Sequence, residues 1–201
     1  MYKIILASNS PRRKELLAGL DIDFEVHVMQ GIDESYPDDL PADQVASYIS
    51  GKKAEAYKSV IGDDELVITA DTVVVLGGRV LGKPATRDEA VQMLRDLSGH
   101  THHVITGVCL TTKEEQRRLS VTSEVTFKTL ADEEIYYYVD RYRPYDKAGA
   151  YGIQEWIGYV GVTSLNGSYF NVMGLPVQRI YQELVAMCGT DALIRGDRAR
   201  P

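Results

Sequence analysis

The sequence has few of the residues and segments that mark several common classes of protein. It contains two cysteines, Cys109 and Cys188, which lie far apart and match no metal-binding spacing. Its 17 glycines and 7 prolines are too few for a low-complexity chain. No run of about 18 apolar residues is present to form a transmembrane helix. We therefore expect a globular protein whose two thiols are reduced, as is usual in the cytoplasm.

The N-terminal segment also lacks the order of a secretory signal. Its apolar run covers only Ile4 to Ala7, and Arg12 and Arg13 follow that run instead of preceding it. No signal peptide is expected, which agrees with the prediction of a cytoplasmic location.

Basic residues are scarce relative to acidic ones. The chain has 22 Lys and Arg against 29 Asp and Glu, which gives a net charge of −7. This charge repels nucleic acid and anionic membrane surfaces at long range, so we expect neither as a partner. A small anionic ligand is compatible with the sequence only if a local cluster of basic side chains binds it.

Length and composition are ordinary for a globular protein. With 201 residues, 44% hydrophobic and 25% charged, the chain is expected to form one domain over residues 1–201. We expect that domain to have two lobes and a flexible C-terminal tail from about 190 to 201.

Strand-like and helix-like segments alternate along the chain. This pattern predicts an α/β fold with a mixed, twisted sheet flanked by helices. The expected strands are Lys3–Ser8, Leu66–Ala70 ending at Asp71, a hairpin from Val73 to Leu81 around Gly77-Gly78, and a long hairpin of His102–Leu110 and Arg118–Leu130. The expected helices begin at Ser10-Pro11 and cover Ala42–Val60, Thr86–Leu97, Asp132–Asp140 and Pro176–Met187. The long hairpin predicts a second lobe, and a cleft between lobes is a common place for a ligand.

The segment Ser8-Asn9-Ser10-Pro11-Arg12-Arg13 is the first candidate for binding chemistry. Ser10 and Pro11 are typical of a helix N-cap and first helical position, so both arginines fall in the first turn. The N-terminus of a helix is already positive, so arginine suits that position only if an anion is bound there. The alternative is that both arginines are solvated on a surface helix.

Asp71 is expected at the end of an apolar strand, where ligands collect in open α/β sheets. A carboxylate there is able to hold a divalent metal or to take a proton from water. The alternative is a carboxylate that caps a turn. The neighbouring acids Asp33-Glu34, taken alone, are more typical of a solvated loop.

The segment Gly77–Lys83 fits the first positions of a phosphate-binding P-loop, but we reject that interpretation. A P-loop requires Ser or Thr after the lysine and a helix that begins there, whereas Pro84 follows Lys83. The glycines are expected to form the hairpin turn. Lys83 is expected to act as a fixed positive charge for a phosphate.

Gln154 ends the segment Asp146–Gln154, which is rich in small residues. Its amide offers one donor and one acceptor, and a pyrimidine such as uracil or thymine presents both on its edge. The three clustered histidines His100, His102 and His103 lack the spacing of a metalloprotease site, so no metal role is expected for them.

Taken together, the motifs resemble the Maf family of nucleoside triphosphate pyrophosphatases, and most closely its dTTP/UTP-specific branch. The resemblance runs from residue 3 to about residue 187. It rests on six ordered motifs: Ser8–Leu17 (SNSPRRKELL), Ala70–Val74 (ADTVV), Gly82–Pro84 (GKP), Ser98-Gly99 with Val104–Val108 (VITGV), Asp146–Gln154 (DKAGAYGIQ) and Asn171–Pro176 (NVMGLP).

The resemblance implies an elongated, two-lobed α/β fold of the Maf and ITPase type with a central cleft. It implies hydrolysis of a nucleoside triphosphate between the α- and β-phosphates, with Mg²⁺ or Mn²⁺ as the cofactor. The implied catalytic residues are Asp71, Lys53 and Lys83, and the implied metal ligands are Asp71 and Glu34. The implied substrate-binding residues are Ser8, Arg12, Arg13, Thr72 and Gln154, of which Arg12, Thr72 and Gln154 are linked to the choice of base.

The sequence departs from the family pattern at one place, and the family is also linked to a second function. Glu155 and Trp156 are bulkier and more charged than the small residues expected after Gln154, which would alter the rim of the base pocket. Members of the family are also linked to arrest of septum formation. The alternative function is therefore a non-catalytic regulator that acts through a protein partner, and a homodimer is left open as well.

Overall fold

Seven strands form one mixed sheet in the computed structural model, which describes residues 2–193 of the chain. Strands β1, β2 and β3 are parallel to one another, and the remaining pairs are antiparallel, in the order β2-β1-β3-β5-β6-β7 with β4 paired to β3. The predicted α/β class with a mixed sheet is confirmed. The strands are β1 Lys3–Leu6, β2 Phe24–Val26, β3 Glu65–Leu76, β4 Arg79–Leu81, β5 Thr101–Thr111, β6 Gln116–Phe127 and β7 Val162–Asn166.

Helices flank both faces of the sheet, as predicted. The caps of two helices are those expected from the sequence: the Ser10 hydroxyl accepts from the Arg13 amide, and the Thr86 hydroxyl accepts from the Glu89 amide. The helices are α1 Pro11–Ala18, α2 Val45–Tyr57, α3 Arg87–Leu97, α4 Asp132–Tyr142, α5 Trp156–Gly161, α6 Tyr169–Val172, α7 Val177–Cys188 and α8 Thr190–Leu193.

Several expected boundaries were wrong. The strand predicted to end at Asp71 continues through Asp71 and Thr72 to Leu76, because β5 pairs with it as far as Val75 and β4 pairs with Leu76. Pro176 is the N-cap of α7 and not its first residue. The helix expected from Asp132 begins there, and the carboxylate of Glu134 accepts from the Ala131 amide at its start. Strands β2 and β7 and helices α5 and α6 were not predicted from the sequence.

One edge of β3 is left without a strand partner over a short stretch. On that edge β1 pairs with residues 65–68, and β4 pairs with residues 74–76. Between them, residues 69–73 face no strand, although β5 pairs with the opposite edge throughout. Backbone groups of β3 are therefore open to side chains and ligands at this gap.

Two large apolar clusters lie on the same face of the sheet, at opposite ends of the long strands. The cluster that we call the first lobe packs α1, α7 and α8 against β1 and one end of β3, with Leu17, Leu66 and Leu184 fully buried. The cluster that we call the second lobe packs α3, α4 and α5 against β4 and the other end of β3, with Leu94 and Ile157 fully buried. The two-lobed arrangement follows from this division. One sheet runs through both lobes, but the single domain over 1–201 stays a prediction.

Helix α2 covers the opposite face of the sheet and approaches it very closely at Gly107. In the ladder between β3 and β5, Gly107 lies directly across from Asp71. A Cβ atom added at Gly107 would overlap the backbone of Ala46 and Ser47 in α2. The missing side chain therefore lets α2 reach the sheet beside Asp71.

Helix α8 ends the described part of the chain at residue 193. The tail predicted as flexible from about 190 lies outside the described residues after position 193, and its first part, Thr190–Leu193, is helix α8. Within residues 2–193, no helix is both long and apolar enough to span a bilayer.

We expect Gly107→Ala to destabilise the protein by roughly 1–3 kcal/mol, because the new methyl group has no space unless α2 moves away from the sheet. Urea unfolding followed by circular dichroism measures this change. The matched control is Gly82→Ala, where an added Cβ meets no atom within 4 Å. Equal stability of the two variants would contradict the close approach of α2.

Candidate functional site

A cavity of about 500 Å³ lies at the gap in the pairing of β3 and is bordered by both lobes. All nine residues singled out from the sequence line it: Ser8, Arg12, Arg13, Glu34, Lys53, Asp71, Thr72, Lys83 and Gln154. They come from positions as distant as 8 and 154, so the fold brings the separate motifs into one pocket.

Asp71 and Thr72 both reach the pocket although they project to opposite faces of the sheet. Successive side chains of a strand alternate in direction. Asp71 lies on the face covered by α2, where it contacts Lys53, and Thr72 lies on the face with the two lobes, where it contacts Arg13. The pocket opens to both side chains because no strand covers this edge of β3.

The start of α1 supplies one wall of the pocket. Ser8 is buried, and its hydroxyl accepts from the Ser10 amide at 3.3 Å. Arg13 extends along β3 and donates to the Ala70 carbonyl at 2.9 Å, the Gly174 carbonyl at 2.8 Å and the Thr72 hydroxyl at 3.1 Å. Burial lowers the pKa of Arg13, and the nearby Asp71 carboxylate opposes that shift. Two of its five N–H groups are left for a ligand.

Lys53 lies between the two acidic residues that were predicted to hold a metal. Its ammonium is 2.9 Å from Asp71 Oδ1 and 3.1 Å from Glu34 Oε1. Helix α2 delivers it there, and its side chain is only 13% exposed. Both carboxylates thus converge on the one positive charge of Lys53.

Lys83 differs from the other basic residues of the pocket because no group of the described residues binds its ammonium. It is exposed and follows β4, and its ammonium has no ion-pair or hydrogen-bond partner among residues 2–193. The backbone next to it is fixed, since the Gly82 carbonyl accepts from the Gly149 amide at 3.0 Å. This free, well-placed ammonium is suited to a phosphate group.

Gln154 presents an unsatisfied polar atom at the pocket. Its side-chain oxygen is buried and has no hydrogen-bond partner. A buried acceptor without a donor costs about 1–3 kcal/mol, so such an atom indicates a ligand that supplies the donor. Its nitrogen lies 3.0 Å from where a Cβ of Gly152 would be, so a side chain at position 152 would press against the amide.

Two charged residues, Asp146 and Lys147, were not predicted as site residues and yet line the pocket. Asp146 accepts from Arg12 at 2.8 Å, and Lys147 contacts both Asp146 at 2.8 Å and Glu155 at 3.1 Å. Burial opposes ionisation of Asp146, but hydrogen bonds from Lys147 and Arg12 outweigh it and lower its pKa to about 2. Asp146 and Lys147 stand in one of the six motifs, but the contact of Asp146 with Arg12 joins residues 134 positions apart.

The charge of the pocket is opposite in sign to that of the chain. Five basic side chains line it (Arg12, Arg13, Lys53, Lys83, Lys147), against three acidic ones (Glu34, Asp71, Asp146). The pocket therefore carries +2 at neutral pH, whereas the whole chain carries −7. A mixed α/β sheet with such a pocket between its lobes defines a class of proteins that bind small polyanions.

The chain belongs to the Maf family, whose model, described as Maf-like protein, matches residues 3–187. Two similar relatives are each called dTTP/UTP pyrophosphatase, one from Parabacteroides distasonis and one from Phocaeicola vulgatus. Each is 63% identical over 183 residues, which are 91% of this chain and 95% of the relative. The solved structure of a HAM1 protein from Coxiella burnetii aligns with a TM-score of 0.40 and 17% identity over 63% of this chain and 73% of that one.

Behind the pocket, a buried histidine supports the wall that carries Gln154. His102 is fully buried, its Nε2 shares a 2.8 Å hydrogen bond with the Tyr151 hydroxyl, and its Nδ1 has no partner. Burial, together with the nearby His103, lowers the pKa of His102 to about 4.

We expect this histidine to make the fold sensitive to acid. Above pH 6.5 His102 is neutral in both states; between pH 6.5 and 4 only the unfolded chain takes up the proton, so stability falls by up to about 3 kcal/mol. In His102→Gln, which has no group to titrate here, this loss should disappear from urea unfolding measured between pH 4 and 7. The control, His100→Gln, removes an exposed histidine and should keep the loss. An unchanged acid profile in His102→Gln would contradict this role.

Proposed function

We propose that the protein is a nucleoside triphosphate pyrophosphatase that hydrolyses dTTP and UTP to the nucleoside monophosphate and pyrophosphate. The observation that carries the proposal is the pocket itself, in which a free lysine, two arginines, an aspartate and an unpaired amide oxygen converge. The names and identities of the relatives support the same activity. No observation on the structure favours the alternative of a non-catalytic regulator.

The triphosphate is assigned to the basic part of the pocket. Lys83 is the strongest candidate for a phosphate contact because its charge has no partner among the described residues. Arg12 and Arg13 lie on the opposite wall, at the start of α1, where they reach the same cavity. Cations held in place before the substrate arrives stabilise the charge that develops on the leaving pyrophosphate.

The base is assigned to the wall that contains Gln154. The N3–H of uracil or thymine would satisfy its buried Oε1, and that atom has no donor within the protein. Cytosine has no hydrogen at N3, and a purine is larger than a pyrimidine. The Thr72 hydroxyl bonds to Arg13 and Thr106, which supports an indirect part in base choice through the position of Arg13.

A divalent metal, Mg²⁺ or Mn²⁺, is the proposed cofactor, with Asp71 and Glu34 as its protein ligands. Two carboxylates that already converge on one cation are a suitable donor set for it. No group of three or more His, Cys, Asp or Glu able to hold a metal occurs in residues 2–193. Mg²⁺ usually binds through one or two carboxylates together with substrate phosphates, so the pair fits such an ion. When bound, the metal would supply positive charge at the phosphates.

Asp71 is the proposed general base for hydrolysis. Lys53 occupies its Oδ1, and no residue of the described chain donates to its Oδ2, so that oxygen is available for a proton. Water attacks the α-phosphorus, the bond from that phosphorus to the bridging oxygen breaks, and pyrophosphate leaves with the bond electrons. The proton lost by the water passes to Asp71.

The cytoplasm is the proposed location, which the two free cysteines support. A homodimer stays a prediction.

We expect Asp71→Asn to lower kcat by about 10²-fold or more, because the amide keeps the size of the side chain but takes up no proton. Pyrophosphate release from UTP at saturating metal measures the loss. The control is Asp140→Asn, which removes an acid that pairs with Arg87 away from the pocket. Turnover near the wild-type rate in Asp71→Asn would rule out this role.

The choice of base is tested with a substrate panel and product identification. We expect UTP and dTTP to be hydrolysed at least tenfold more efficiently than CTP, ATP and GTP, since the ring N3–H of uracil and thymine would satisfy the buried Oε1 of Gln154, cytosine has no ring N–H there, and the purines are larger. In Gln154→Glu the preference should shrink, because the carboxylate no longer donates. Equal rates on purines and pyrimidines with the wild-type protein would contradict the proposed substrate.

A further inference from the structure

A continuous series of ionic contacts crosses the mouth of the pocket. Arg12 of α1 donates to Asp146 Oδ2, Lys147 contacts Asp146 Oδ1, and Lys147 also contacts Glu155 Oε1. The series ends in the second lobe, where the buried hydroxyl of Tyr138 donates to Glu155. Arg12 stands at the first lobe, so these contacts join the two lobes across the cleft.

Lys147 is the most buried charged member of this series. Its side chain is 9% exposed, against 24% for Arg12 and 59% for Asp146. Its ammonium lies between two carboxylates and would have to leave one of them to contact a phosphate. Its position therefore favours an effect on the carboxylates over direct contact with a substrate.

The aliphatic part of the Lys147 side chain is packed in place, as is its ammonium group. A Cβ atom at Gly152 would lie 3.1 Å from Lys147 Cε, 3.1 Å from Glu155 Cδ and 3.0 Å from Gln154 Nε2. The Gly152 amide in turn donates to the Tyr138 hydroxyl at 3.0 Å. Lys147 is thus packed into the same wall that carries Gln154, with little freedom to move.

Asp146 has the opposite character, because more than half of its side chain is exposed. An exposed carboxylate holds an arginine weakly unless its own orientation is fixed. Lys147 supplies that orientation through the second oxygen, Oδ1. The pKa of Asp146, lowered to about 2, keeps the carboxylate ionised at any pH suitable for an assay.

We propose that Lys147 is a positioning residue that acts through Asp146 to hold Arg12 at the pocket from the opposite lobe. The inference rests on the proposed function, because Arg12 is taken there to bind the substrate. It assigns to Lys147 an effect on substrate binding without direct contact with the substrate.

A double-mutant cycle on Arg12 and Lys147 tests this assignment. The variants are Arg12→Met, Lys147→Met and the double variant, each assayed for kcat and KM with UTP. We expect Lys147→Met to raise KM about tenfold with little change in kcat, because a contact equal in ground and transition states is lost. The double variant should lie within about twofold of Arg12→Met alone, since Lys147 has no effect once its target is absent. Effects that multiply in the double variant would overturn the proposal and indicate direct contact with substrate.

A second pair of variants separates positioning from stability. Lys147→Met leaves Glu155 without its cation, so Tm should fall. Adding Glu155→Gln removes that unpaired charge, and Lys147→Met/Glu155→Gln should recover most of the Tm. KM should nevertheless stay raised, because Asp146 is still not oriented. Recovery of both Tm and KM would reduce Lys147 to a structural role and overturn the proposal.

A control variant at another ion pair and the activity of the wild-type protein separate the possible outcomes. Asp140→Asn breaks another ion pair of the second lobe, with Arg87, and should leave KM unchanged. If the wild-type protein releases no pyrophosphate from UTP or dTTP, the proposed function itself fails. If the wild type is active but the effects of Arg12→Met and Lys147→Met multiply, only the inference on Lys147 fails.

Discussion

The unpaired stretch on one edge of β3 is the constraint on which the rest of the site depends. Because β1 stops pairing at residue 68 and β4 starts at residue 74, backbone oxygens of β3 have no strand to bond with there. Arg13 takes the Ala70 carbonyl, and by doing so it fills the gap with positive charge. The same gap exposes Asp71 on one face and Thr72 on the other. A strand paired along this edge would instead fill the opening through which the pocket reaches both faces of the sheet.

The arrangement of charges in the pocket offsets two kinds of electrostatic repulsion. A chain of net charge −7 repels a polyanion at long range, and five basic residues in one cavity would repel one another. Asp71 and Glu34 contact Lys53, and Asp146 contacts both Arg12 and Lys147, which lowers that repulsion while a net +2 remains. The acids that make the chain anionic thus include those that fix the cations in place. Lys83 is left as the exposed charge that a ligand meets without competition from a carboxylate.

Local features of the fold and the membership of the site were predictable from the sequence, whereas the geometry was not. The start of α1 and the cap of α3 follow from Ser10 and Thr86, which act within one turn of helix. The continuation of β3 through Asp71 and Thr72 depends on β5, a partner more than thirty residues away. The motifs identified nine residues that line the pocket. They did not show that Arg13 donates three hydrogen bonds to protein oxygens. Such contacts are set by tertiary packing, and no spacing in the sequence encodes them.

Besides the sheet that runs through both lobes, contacts of two arginines in α1 connect the two sides of the pocket. Arg13 contacts the Gly174 carbonyl beside the first lobe, and Arg12 is bonded to Asp146 beside the second. Adjacent arginines of one helix turn are therefore held by opposite sides of the cleft. A change in the angle between the lobes would stretch one of these contacts before the other. Because Arg13 is only partly exposed and has three acceptors, whereas Arg12 bonds to one exposed carboxylate, the contact of Arg12 would yield first.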